Sequence, residues 1–158
     1  MFGSGDGFVP DDIRPHGDVL ILAQAPGSNE EAGDRVVEVQ WVQGRRVGVT
    51  PPCPPQPLIG ITGWDLDHTY LPLAGLRRDQ VSTANVLKCR AIVGGRRTND
   101  LPTGRVLDAA VAHCTAAHLR IPPTVRLIVA MGALAARVAG CPGTVSEWRG
   151  FTFDSPLG

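Results

Sequence analysis

The sequence predicts an α/β protein built on a parallel sheet, with right-handed crossovers and helices on both faces. Three observations lead there. Short aliphatic runs at 18–24, 80–87 and 125–131 read as buried strands, helix-like segments separate them, and each run ends abruptly in polar or glycine-rich chemistry. A chain of 158 residues suffices for one core and is short for two. With no repeat, heptad or compositional boundary, residues 1–158 are read as a single domain.

Residues 1–17 form an irregular lead-in, and Asp18–Gln24 is the first strand, aliphatic on both faces as a central parallel strand should be. From Pro26 to Pro57 the chain is rich in Gly, Pro and Arg, with one short strand candidate at Arg35–Val42. A loop of that length inside a compact domain is uncommon unless it serves a function. Gly60–Leu76 reads loosely as a helix interrupted by Pro72, and Gln80–Leu87 as the second strand. After a polar loop at 91–104, Arg105–Leu119 is a helix capped by Thr103 or Asp100 and stopped by Pro122 and Pro123. Val125–Met131 is the third strand, and Gly132 opens an Ala-rich helix ended by Gly140 and Pro142. Thr144–Gly158 reads as one more strand or hairpin cut off early, so the domain is expected to be incomplete at its C-terminus.

Hydrophobic residues at 43% and charged residues at 19% are ordinary for a soluble protein. No apolar stretch approaches the roughly 20 residues that span a bilayer. The N-terminal MFGSGDGFVPDD lacks a signal-peptide pattern, so the chain is read as soluble and cytoplasmic, with no membrane partner. A net charge of zero excludes a protein that coats nucleic acid indiscriminately, which needs a broad positive field. The basic residues are 14 Arg and one Lys, with doublets at 45–46, 77–78 and 96–97. Arg suits bidentate phosphate recognition, although such doublets are more often solvated loops. Cys53, Cys89, Cys114 and Cys141 are widely spaced, and buried reduced thiols are the default reading for each.

In a parallel sheet the strand ends AQAPG (23–27), NVLKCR (85–90) and MGALAA (131–136) share one edge, where open α/β folds bind ligands. Gly132 at a helix start leaves N–H groups free to attract an anion such as phosphate. The chain has neither G-x-G-x-x-G nor G-x-x-x-x-G-K-[ST], so an unrelated nucleotide-binding domain ranks last among the functional readings.

AQAPGSNEEAGDR, PLIGITG at 57–63, STANVLKCR, LIVAMGALAARVAG and VSEWRGFTF, in that order, resemble the motifs of the uracil-DNA glycosylase superfamily. The likeness covers roughly residues 18–153 and is greatest to the thermostable iron-sulfur branch and the related phage-type domains. It implies a three-layer α/β/α sandwich with a short, mainly parallel four-stranded sheet. It also implies an enzyme of base excision repair that hydrolyses the N-glycosidic bond of uracil in DNA. Asn85 is placed to read the uracil edge by donating and accepting at once, with Ala25, Pro26, Gly27 and Leu58 around the base. Arg90 and the Gly132 helix start are the DNA-contacting candidates. The carboxylate that orients water and stabilises an oxocarbenium-like sugar falls to the loop acids Glu30, Glu31 or Asp34.

The chain departs from the family pattern at four points. Gln24 stands where the branch has glutamate within G-E-A-P-G, and it cannot take a proton. Leu58 replaces the aromatic of P-F-x-G, giving contact without a ring face. No His-Pro pair follows Phe153. Cys89 and Cys114 match two cluster ligands, but the upstream C-x-x-C pair is absent, so structural thiols are expected ahead of an iron-sulfur cluster. These departures motivate a second reading: a non-catalytic DNA-binding or polymerase-associated module that keeps the glycosylase fold.

Overall fold

A computed structural model describes residues 7–157. Its centre is a parallel sheet in the order β4-β1-β7, formed by Val81–Asn85, Val19–Ala23 and Leu127–Met131. Ala23 lies level with Asn85 on one side and Met131 on the other, so all three carboxyl ends meet at one edge as expected.

Alternation along β1 divides the core. Leu20 and Leu22 point to one face, under Ala110 and Cys114 of α4 (Gly104–His118) and Leu134 and Ala135 of α5 (Ala133–Val138). Ile21 and Ala23 point to the other, where Leu58, Leu66 and Leu71 cover them. β1 is therefore buried on both faces, which is why it reads as an unbroken aliphatic run.

The helix expected over Gly60–Leu76 is three pieces: α2 (Ile61–Asp65), a π-helical turn (Leu66–Tyr70) and α3 (Leu71–Leu73). Pro72 sits in the first turn of α3, where its missing N–H breaks no helical bond. The long loop holds more structure than expected: α1 (Ser28–Ala32), then an antiparallel hairpin of β2 (Glu38–Val42) and β3 (Arg45–Val49). The polar segment after β4 is likewise a hairpin, β5 (Ala91–Val93) with β6 (Arg96–Thr98).

The expected fourth strand is corrected. Among the described residues the parallel sheet has three strands, and residues 144–157 instead begin with a short helix, α6 (Val145–Trp148), followed by irregular chain. Reciprocal capping nucleates that helix: the Glu147 N–H donates to Thr144 Oγ1 at 3.4 Å, and the Thr144 N–H donates to Glu147 Oε2 at 2.8 Å. Among the described residues no helix is long and apolar enough to cross a membrane.

Candidate functional site

A cavity of about 350 Å³ opens at the carboxyl edge of the sheet. Gln24, Ala25, Pro26, Gly27, Glu30 and Leu58 line it together, whereas Asp34, Asn85, Arg90 and Gly132 do not. A larger cavity, about 610 Å³, runs beside β7 and contains none of them. Volume alone would select the second; the convergence of strand ends selects the first.

One segment, Pro57–Ile59, forms much of the rim, and three distant parts of the chain hold its backbone. Arg78 Nη2 donates to the Pro57 carbonyl at 2.6 Å. The Leu58 N–H donates to Glu30 Oε1, and the Val36 N–H donates to the Ile59 carbonyl at 2.7 Å. These bonds fix Leu58 in the left-handed region, at φ 56°, which a branched side chain rarely adopts. Gly63 permits the arrangement, because a Cβ there would fall 1.7 Å from the Leu58 carbonyl oxygen.

Glu30 is buried and both its oxygens are engaged. Besides Leu58, it accepts from the Gly27 N–H at 2.5 Å, the backward half of a capping box for α1. Burial raises its pKa, against the opposing pull of the Gly27 and Leu58 donors. The carboxylate thus ties the AQAPG turn to the Leu58 rim. Glu31, its neighbour, turns away to pair with Arg90 at 3.0 Å and with Arg97. Asp34 lies outside the cavity lining, its backbone bridged to Pro52.

Gln24 also has a defined partner. Its Oε1 accepts from the Leu134 N–H at 2.8 Å, in the first turn of α5. Gly132, at φ 97°, lets that side chain approach, since a Cβ would sit 2.5 Å from Gln24 Cδ. The helix start expected to attract an anion is therefore occupied by a neutral amide of the chain itself.

Asn85 differs from all of these. It is 0% exposed, and neither its Oδ1 nor its Nδ2 has a hydrogen-bond partner. By strand alternation its side chain lies on the face of the sheet that carries Ala23, which lines the cavity with Leu58, although Asn85 itself does not reach the lining. A buried unpartnered donor or acceptor costs about 1–3 kcal/mol, so carrying both on one carboxamide calls for an explanation. Its backbone is firmly placed: Lys88, 1% exposed, donates from Nζ to the Asn85 carbonyl at 2.7 Å and to Asp11 Oδ1. Burial lowers the Lys88 pKa and raises that of Asp11, while each partner's charge opposes the shift.

Arg90 is spent on Glu31 and on the Arg97 carbonyl at 3.4 Å, with little of its side chain exposed, so it contacts phosphate only by giving up those bonds. Cys89 and Cys114 come close enough that, after burial, the nearby Cys114 is the next cause raising the Cys89 pKa. No third ligand joins them among the described residues, where no group of three or more His, Cys, Asp or Glu could hold a metal ion. Two thiols do not fit a four-thiolate cluster. Met131, at the strand end MGALAA, joins the lining as the shared edge predicts, whereas sequence reasoning missed Asn99, which also lines the cavity. Asn99 follows the Arg96–Arg97 doublet in what reads as polar loop, and nothing local marks it. Compared with known proteins, the chain matches no family model and no curated sequence.

Proposed function

We propose that this chain is a uracil-DNA glycosylase-like protein, which binds a uracil turned out of a DNA strand and hydrolyses its N-glycosidic bond. The observation that carries the reading is Asn85, a buried carboxamide with a free donor and a free acceptor, level in the sheet with the cavity-lining Ala23. The pairing edge of uracil offers a carbonyl beside an N–H, which satisfies both at once. Leu58 supplies contact to the base, and the AQAPG turn lines the same cavity. Water adds to the sugar as the C–N bond breaks; one of its protons ends on the departing uracil. Glu30, with both oxygens held, stabilises positive charge on the sugar electrostatically rather than by moving a proton. Gln24, its oxygen engaged by Leu134, keeps its Nε2 as the donor available to base or water. The same reading carries a cytoplasmic protein and an α/β/α sandwich around this parallel sheet.

One observation favours the second reading, a DNA-binding or polymerase-associated module without catalysis. Glu30 is the one carboxylate among the described cavity-lining residues, and neither of its oxygens is free to orient water. The test is alkali-induced scission of a single-stranded oligonucleotide bearing one uracil, with Asn85→Ala alongside. Removing two unpartnered polar atoms should leave the variant folded. Scission by the parent that is lost in the variant supports the glycosylase. Uracil-preferring binding without scission moves the protein to the module, and neither one overturns both readings.

A further inference from the structure

The β2–β3 hairpin has no use in the core. Val37, Trp41, Val42, Val47 and Val49 are all exposed, Trp41 at 73%. An isolated two-stranded hairpin is marginal in water, so this one must be held from outside. It is held against α2. Trp41 lies directly opposite Arg46, and Arg46 makes a bidentate pair with Asp65 at 2.9 and 2.6 Å while lying over the Trp64 ring, 5.9 Å from its centre. Asp65 ends α2, and the first turn of α2, Ile61–Gly63, lines the cavity. Gln43 and Gly44, at φ 49° and 74°, make a tight turn of the kind that matches strand twist. An exposed indole thus stands on a short arm that packs against α2, whose first turn lines the cavity.

We propose that this hairpin is a clamp for single-stranded DNA next to the base held in the cavity, with Trp41 stacking a neighbouring base and Arg45 holding a backbone phosphate. The proposal rests on the reading of the cavity as a base site. Three features select this occupant. A tryptophan face takes any base whose own face is free, a condition that a single strand meets and a paired duplex does not. Arg45 makes no ion pair among the described residues, and residues 39–45 contain no acid, so the tip complements a phosphate. The arm joins the cavity through α2, so a strand leaving the cavity meets it next.

The experiment measures binding of a fluorescently labelled, uracil-free single-stranded oligonucleotide by anisotropy across a salt series. Trp41→Ala should weaken binding about tenfold with an unchanged salt slope, and Trp41→Phe should restore most of it. Arg45→Ala should reduce the slope by about 0.7, the value for one phosphate contact on a single strand. Unchanged affinity in Trp41→Ala overturns the clamp even where the parent cuts uracil DNA, and so does self-association that this substitution abolishes. Weakened binding in Trp41→Ala, from a parent that neither cuts nor prefers uracil, leaves the clamp standing and overturns the cavity reading instead.

Discussion

The two outer strands of the sheet pair with β1 in the same direction and over the same length, yet they meet opposite fates. Every residue of β4 is buried, whereas Leu127 and Val129 of β7 are 47% and 41% exposed. The difference is the lead-in. Asp12 forms an antiparallel bridge to Thr83, with N–H to O distances of 2.9 Å in both directions, and the Arg14 N–H reaches Ser82 Oγ at 3.0 Å. Farther along, the Val9 N–H donates to the Lys88 carbonyl at 2.8 Å. The covered edge is also the one that carries Asn85 and the buried Lys88–Asp11 pair. An edge sealed on all sides can hold an unpaired carboxamide in one place; an edge open to water cannot.

That contrast breaks most visibly at Lys88. Lys88→Met strands the Asp11 carboxylate and frees the Asn85 carbonyl, and should lower stability by about 3–5 kcal/mol in denaturant unfolding. Adding Asp11→Leu should recover most of it, and a loss below about 1 kcal/mol in the single variant would show that water reaches the pair. Glu30→Gln should cost less, about 1–3 kcal/mol, because the amide can accept from one of the two N–H groups but offers a donor to the other. The pH dependence sharpens this prediction. The Glu30 pKa is raised on folding, so its contribution is fully present below the ordinary value, 4.5, and is lost as pH rises through the folded value. The advantage of the parent over Glu30→Gln should therefore shrink above pH 4.5; a constant gap would mean the carboxyl is not perturbed. At the open edge, Leu127→Thr should shift stability by no more than about 0.5 kcal/mol, and a larger loss would show that something covers β7 in solution.

The three strands and two longer helices were legible because their signals are local. Aliphatic runs mark strands buried on both faces, and the cap and proline stop bracket α4. The strand candidate at Arg35–Val42 contains β2, but its partner β3 and the whole β5–β6 hairpin were overlooked, since short, largely exposed strands carry little apolar signal. Their turns were nevertheless written in Gln43-Gly44 and Gly94-Gly95, each pair at positive φ. The Thr144-x-x-Glu147 capping box likewise announced a helix where a strand was expected. In the candidate site, residue identities were readable but commitments were not. That Glu30 is tied to Leu58, 28 positions away, and Gln24 to Leu134, 110 positions away, depends on contacts that only the folded chain creates.

The backbone of Pro57–Ile59 is held through its own carbonyl and amide groups, by Arg78, Glu30 and Val36. None of these bonds consults the side chain at position 58. The path of the rim is thus separable from the shape it presents, and substitution at position 58 can reshape the mouth of the cavity while the route of the chain stays as it is.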